Sequence, residues 1–282
     1  MTPLGYGKRM DWLKRDRQED KTIVLFDMDG TLSESRKPFD KKLLEPLRAL
    51  SQYSEIGIVS GSDYDYISQQ MEYLLNKTEL RYKIHILPCN GTKYYKPPEN
   101  NGKPFELIYD NDMKVELGNL MFKELMVAII QAQASLNHQA FPLTGHFIQY
   151  RGSMINWCPI GRNASDEERS YFIKYDKGSN PTYRQTIIEQ LKNNLSQRGI
   201  NVTAKFGGDT SFDIYPNGWD KRYCLKHFPD YNHWFVGDRC GDGGNDKEIY
   251  DSLFYDCRAF KTEDPDMTKL IIEERIIPRL LD

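Results

Sequence analysis

Short apolar runs alternate with helical spacings through the first part of the chain. Thr22-Ile23-Val24-Leu25-Phe26 is continuous, apolar and rich in β-branched residues. That pattern predicts a strand buried on both faces, as in a parallel sheet. In the stretch 40–53, Leu43, Leu44, Leu47 and Leu50 recur at helical spacing. Ile56-Gly57-Ile58-Val59 predicts a second buried strand. A helix from about residue 63 carries Ile67, Met71, Leu74 and Leu75 on one face, and Ile84-His85-Ile86-Leu87 predicts a third strand. Strand–helix alternation of this kind predicts a doubly wound α/β core.

The pattern then changes. Asn90-Gly91 reads as a turn, and Pro97-Pro98-Glu99-Asn100-Asn101-Gly102 is a cluster of breakers. A long helical stretch covers 115–136. Alternating runs at 145–150 and 154–157, joined by Arg151-Gly152-Ser153, predict a hairpin of half-buried strands. Helices from 166 and over 183–198, then strands at 201–206 and 211–215, complete an α+β unit. The end returns to α/β. It has a helix near 220, a strand His233-Trp234-Phe235-Val236, a Gly-rich loop over 237–244, a helix from 245 and a last helix over 265–281. The expected division is 1–103 for the first part of the core, with 1–21 as an N-terminal extension. It continues with 104–216 as an inserted cap and 217–282 as the second part of the core.

Composition narrows the classes. The chain has 282 residues, with Lys+Arg 38 and Asp+Glu 41 for a formal net charge of −3. A near-neutral balance argues against a nucleic-acid or membrane-surface binder, which concentrates positive charge. No apolar run approaches the roughly 18 residues of a membrane span, and the first segment lacks the apolar stretch of a secretory signal. Cys89, Cys158, Cys224, Cys240 and Cys257 are widely spread, without a C-x-x-C pair. A disulfide framework or zinc site is therefore not expected, and a reducing cytoplasm is. The His residues show no H-x-x-x-H spacing, so a bound metal would be a hard cation such as Mg²⁺ held by carboxylates.

The chemistry concentrates at predicted strand ends, where open α/β sheets bind ligands. Asp27-Met28-Asp29-Gly30-Thr31 follows the first strand directly. Two carboxylates two residues apart on a turning chain can both face the crevice, one to attack and one to handle a proton. Ser60-Gly61-Ser62-Asp63 follows the second strand and opens a helix, offering Ser60, Ser62 and free N–H groups to a phosphate. Lys221, near the start of the last section, could neutralise carboxylate and phosphate together. Gly237-Asp238 follows the fourth strand, with Gly243-Gly244-Asn245-Asp246 just beyond, and acids on that edge would complete an oxygen-only metal site.

These segments in this order resemble the haloacid dehalogenase superfamily of aspartyl phosphotransferases. The resemblance implies a Rossmann-like doubly wound parallel-sheet core with an inserted α+β cap. It implies Asp27 as nucleophile and Asp29 as general acid/base. It also implies Mg²⁺ held by Asp27, the backbone carbonyl of Asp29 and Asp238, with Asn245 or Asp246 supporting it from behind. The cap runs Arg151-Gly152-Ser153-Met154-Ile155-Asn156-Trp157-Cys158-Pro159-Ile160-Gly161-Arg162, Glu167-Glu168-Arg169 and Gly207-Gly208-Asp209-Thr210-Ser211-Phe212-Asp213-Ile214-Tyr215-Pro216 are similar to the eukaryotic-type phosphomannomutase family. So are Gly218-Trp219-Asp220-Lys221-Arg222-Tyr223 and Arg36. This implies that Arg36, Arg151, Arg162, Arg169, Ser211 and Asp213 bind substrate, with a hexose 1,6-bisphosphate as activator and a homodimer through the caps. Cys89 departs from the family, which commonly has Glu there.

The substrate logic stands beside the resemblance. A mutase holds two phosphates of a hexose bisphosphate at once, one at the nucleophile and one clamped far away. Arginine suits the clamp because its planar fork pairs bidentately with phosphate oxygens. Ser211 and Asp213 alternate with Phe212 and so share one strand face, as partners of sugar hydroxyls should. The expected reaction interconverts mannose 6-phosphate and mannose 1-phosphate and feeds GDP-mannose synthesis. The alternatives are a Mg²⁺-dependent sugar-phosphate phosphatase or a phosphoglucomutase on the same scaffold.

Overall fold

Alternate residues of the first strand point into two different apolar clusters. In β1 (Thr22–Phe26), Ile23 and Leu25 pack on one side and Val24 and Phe26 on the other, all fully buried. The computed structural model describes residues 21–137 and 139–281. Of the expected N-terminal extension only Lys21 is included, and 1–20 lie outside the described residues.

β1 is central in a seven-stranded sheet. It is flanked by β2 (Glu55–Val59), β3 (Ile84–Leu87), β4 (Lys93–Lys96) and β5 (Glu106–Asp110) on one side. The other side carries β10 (Asn232–Gly237) and β11 (Ala259–Lys261). β11, β10, β1, β2 and β3 run parallel, while β4 and β5 form an antiparallel hairpin at the edge. A smaller antiparallel sheet has the order β6 (Ile148–Tyr150), β7 (Ile155–Trp157), β9 (Ser211–Pro216), β8 (Val202–Gly207).

Helices α1 (Leu44–Leu50), α2 (Tyr64–Gln70) and α3 (Glu72–Lys77) contribute Leu47, Ile67 and Leu74 to the cluster on one face of the large sheet. The small sheet is backed by α4 (Met113–Ala134), α5 (Asp166–Asp176) and α6 (Tyr183–Gln197). α7 (Lys247–Phe254) packs on the second face of the large sheet. α8 (Pro265–Ile271) and α9 (Ile277–Leu281) close the chain, with one wide turn, Ile272–Ile276, between them. Pro278 lacks the N–H that a regular helix would use there.

Two differences from the sequence reading matter. The inserted unit was expected from 104, but β5 belongs to the large sheet, so the chain leaves that sheet after Asp110. The helix expected over 115–136 is interrupted at Gly118, which has φ 75° and ψ 157°. In the small sheet, Ile155, Trp157, Phe212 and Ile214 point into the helix-backed cluster. Asn156, Ser211 and Asp213 take the opposite face by the period-two rule, and all of them line or border the cleft between the two sheets.

Candidate active site

Asp27 leaves β1 with its N–H donated to the Val236 carbonyl at 2.9 Å, which pins it against the end of β10. The chain then wraps around the Met28 carbonyl, which accepts from the N–H groups of Thr31, Leu32 and Ser33 at 3.3, 2.9 and 3.2 Å. Gly30 has φ +85°, and a Cβ there would sit 2.7 Å from Cγ of Asp238. Only glycine lets this loop and the β10 loop approach so closely.

Asp29 Oδ1 accepts the Arg36 N–H at 2.8 Å. Arg36 reaches that geometry with φ 61°, a left-handed conformation that costs a non-glycine residue. Burial pushes the Asp29 carboxyl up, against the opposing pull of the Arg36 N–H. The side chain can therefore carry a proton closer to neutrality than a free carboxylate can.

Lys221 is fully buried, and its Nζ donates to both Asp27 Oδ1 and Asp246 Oδ1. Burial opposes its charge, but the carboxylates of Asp246 and Asp27 outweigh burial and hold the ammonium above the usual lysine range. Burial pushes Asp27 upward, Lys221 opposes that, and Asp246 and Asp238 add to it.

Oxygens of Asp27, Asp238 and Asp246 lie within 4.8 Å of one another. Both oxygens of Asp246 are engaged, Oδ1 by Lys221 and Oδ2 by the Arg239 N–H at 3.0 Å. Asp238 Oδ1 is buried without a hydrogen-bond partner, as is Asn245 Oδ1. Burial and the neighbouring Asp246 push the Asp238 carboxyl up to about 6. A buried acceptor cluster with an unmet oxygen fits a hard, oxygen-liganded cation.

The opposite wall of the cleft comes from the small sheet and α5. Arg151 Nη1 crosses the gap to the Gly61 carbonyl at 2.6 Å. Arg162 Nη1 donates to Asn156 Oδ1 at 2.8 Å. Arg169 donates to the carbonyls of Ala164 and Arg162 and to Thr210 Oγ1, at 3.1, 2.8 and 2.8 Å. Among the described residues, none of these guanidinium groups pairs with a carboxylate; their partners are uncharged. Burial, then the nearby charges of Arg151 and Arg169, lowers the Arg162 pKa from its ordinary value. Cations left unpaired in a cleft await an anion.

The cleft encloses about 600 Å³ and brings together Asp27, Asp29, Arg36, Ser60, Ser62, Arg151, Arg162, Arg169, Ser211, Asp213, Asp238 and Asn245. Lys221 and Asp246 stand behind Asp27, fully buried. Sequence reading left Tyr66, Asn156, Asp209 and Arg239 without a role, yet they also line the cleft. Alternation in Ile155-Asn156-Trp157 was the available signal for Asn156, since it opposes two buried apolar residues.

The fold is that of the haloacid dehalogenase-type core with an inserted cap. A C-terminally truncated IMP-nucleotidase from Plasmodium falciparum is similar over 93% of this chain and 72% of its own, with a TM-score of 0.63 at 15% identity, which speaks to the fold alone. The family model for eukaryotic phosphomannomutase matches residues 43–277. A phosphomannomutase of Dendrobium officinale is 40% identical over 82% of this chain and 85% of its own. One of Arabidopsis thaliana is 38% identical over 82% and 87%. The chain belongs to the eukaryotic phosphomannomutase family.

Proposed function

We propose that this protein interconverts mannose 6-phosphate and mannose 1-phosphate through an aspartyl-phosphate at Asp27 and a hexose 1,6-bisphosphate intermediate. The observation that carries this reading is the set of Arg151, Arg162 and Arg169, unpaired with carboxylates, lining the same cleft as Asp27. A phosphatase needs no such clamp for a second phosphate.

Asp27 attacks the phosphorus of the bisphosphate, the P–O bond to the sugar breaks, and the electron pair goes to the sugar oxygen. Asp29, its carboxyl raised by burial, gives that oxygen a proton. In the opposite step Asp29 takes the proton from the free hydroxyl of a monophosphate held the other way round; that hydroxyl attacks the aspartyl-phosphate, the bond between phosphorus and the Asp27 oxygen breaks, and the bisphosphate and the Asp27 carboxylate are re-formed. Lys221 holds the Asp27 carboxylate in place and offsets the charge of Asp246. Asp27, the backbone carbonyl of Asp29 and Asp238 would hold Mg²⁺, with Asp246 and Asn245 behind them; bound there it would supply positive charge to the phosphoryl oxygens. Ser60 and Ser62 border the reacting phosphate, Arg36 and the cap arginines take the distal one, and Ser211 and Asp213 take sugar hydroxyls.

The product would supply GDP-mannose synthesis in the cytoplasm. The five cysteines are free, four of them buried, which fits a reducing compartment. No helix among the described residues is long and apolar enough to cross a membrane. A homodimer through the caps is part of the proposal, supported by the exposed apolar side chains Val115, Leu120 and Ile130 of α4.

The test is a coupled assay on mannose 1-phosphate with and without mannose 1,6-bisphosphate. Turnover that depends on the bisphosphate is expected. Asp27→Asn should reduce it to background, since the attacking charge is gone while the shape is kept. Release of inorganic phosphate as the main product would favour a phosphatase instead.

A further inference from the structure

Asn156 stands between a partly buried cation and a buried carboxylate of the cap. It is 3% exposed and lies on β7 directly opposite Asp213 of β9. Its Oδ1 accepts from Arg162 Nη1 at 2.8 Å. Its Nδ2 donates to Asp213 Oδ1 at 2.8 Å and to Ser211 Oγ at 3.1 Å, with the Phe212 carbonyl at 3.5 Å. Chemistry fixes the sense of the amide, because a guanidinium only donates and a carboxylate only accepts.

Arg162 and Asp213 bond to the two ends of one amide, and in a partly buried site a guanidinium and a carboxylate gain by pairing directly, which the fork geometry favours. Here each is bonded to the neutral amide instead. We propose that Asn156 is a positioning residue that keeps Arg162 and Asp213 apart and aimed, so that the guanidinium stays available to a phosphate and the carboxylate to a sugar hydroxyl. The amide spends one of the five guanidinium N–H donors and leaves the rest. It adds no charge of its own. Arg162 shares the lining of the cleft with Arg151, Arg169 and Tyr66. Asp213 is held from the other side by Gly207, where a Cβ would lie 2.6 Å from its carboxylate, and Gly61 of the core comes close to it too.

This role rests on the phosphate and sugar roles proposed above for Arg162 and Asp213. It makes a particular demand on the residue type. A carboxylate at 156 would pair with Arg162 and repel Asp213, while a small apolar side chain would let those two collapse together.

The experiment is steady-state kinetics of Asn156→Asp on mannose 1-phosphate with mannose 1,6-bisphosphate present, across about pH 6 to 8. The expected result at about pH 8 is a KM raised about ten- to a hundredfold, the cost of losing a hydrogen bond to a charged group, with kcat changed less. The ratio of variant to wild-type kcat/KM should recover as pH falls, because a protonated carboxyl at this position again accepts from Arg162 and donates to Asp213. A purely structural role would give no such recovery. A pH-independent ratio, or a KM within about threefold of wild type, overturns the proposal. Should the variant not fold, Asn156→Ala is read by the same KM, with a similar rise expected and a change within about threefold overturning it. Absence of wild-type turnover in this assay overturns both this role and the reaction it serves. Normal wild-type turnover with unaltered variants overturns the role of Asn156 alone.

Discussion

Asp238 illustrates what a single residue contributes before any ligand arrives. Burial and the neighbouring Asp246 raise its carboxyl to about 6, and Asp27 and Asp29 are raised as well. A carboxyl whose folded-state value lies above its unfolded one binds its proton more tightly in the folded protein. Its contribution to stability is full below the unfolded value, near 3.8, and is lost as pH rises through about 6. The metal-free protein should therefore lose this contribution between about pH 4 and 6 and carry it as a liability at neutral pH. A divalent cation favours the ionised form, so the gain in Tm on adding Mg²⁺ should be larger at about pH 7.5 than at about pH 5. Thermal melts in chelator and in Mg²⁺ at both values measure this, and an equal gain at both would count against Asp238 as a ligand. Asp27, Asp29 and Asp238 were legible in the sequence because all three lie within three residues of the end of a buried apolar strand. Asn156 was not, because its meaning depends on a cross-strand neighbour 57 positions away.

At the scale of elements, the parallel strands and their helices were readable because both of their faces are apolar. β4, β5 and β11 were not. β5 is exposed along its whole length and so carries no burial signal, and β11 has three residues. The cap hairpins were visible as alternation, since one face meets the helices and the other the cleft. α5 shows how an element and a site share a residue. Its N-terminus is closed by Ser165 and Glu168 in a reciprocal capping box, and Arg169 then ties the preceding loop to Thr210 on the β8–β9 turn through the Arg162 carbonyl. Arg169 thus anchors the loop that carries Arg162 while keeping its own charge free of any acid. Arg169→Ala is expected to lower stability by about 1–3 kcal/mol through those lost bonds. It should also reduce kcat/KM on mannose 1-phosphate about ten- to a hundredfold, with a smaller loss on a small aryl phosphate that does not span the cleft. Rates on the two substrates, with a denaturant unfolding curve, check it. Equal losses on both substrates would mean that Arg169 supports the cap and holds no phosphate.

Across the whole molecule, the question is what keeps the cap on the core while a bisphosphate turns around. Where the chain crosses between the sheets, Tyr223 Oη meets Tyr109 Oη at 2.7 Å and Asn111 Nδ2 at 2.6 Å, and Asn90 Nδ2 donates to the Trp219 carbonyl at 3.2 Å. Those bonds make a fixed side. The rim is closed differently, by ion pairs between cap and core. Arg239 in the loop after β10 reaches Asp209 at 2.9 Å, and Lys205 of β8 meets Glu248 of α7. Arg36 and Asp166 pair at 3.4 Å with both side chains largely exposed. The exposed Arg36–Asp166 pair is worth about 0.2–1 kcal/mol in water; the two partly covered pairs add to it, and together they bias closure. That is what a mutase requires, since the cap must let the intermediate reorient without letting it go. Asp209→Asn combined with Glu248→Gln removes charge from two of the three pairs and leaves every proposed phosphate contact in place. The bisphosphate should then escape more often, so the concentration of mannose 1,6-bisphosphate needed for half-maximal activity should rise roughly two- to tenfold. Raising the salt to about 0.5 M screens the exposed Arg36–Asp166 pair most, and since both proteins keep that pair it should raise the requirement in both. An activator requirement that is the same in both proteins, at low and at high salt, would show that the rim pairs do not hold the cap during turnover.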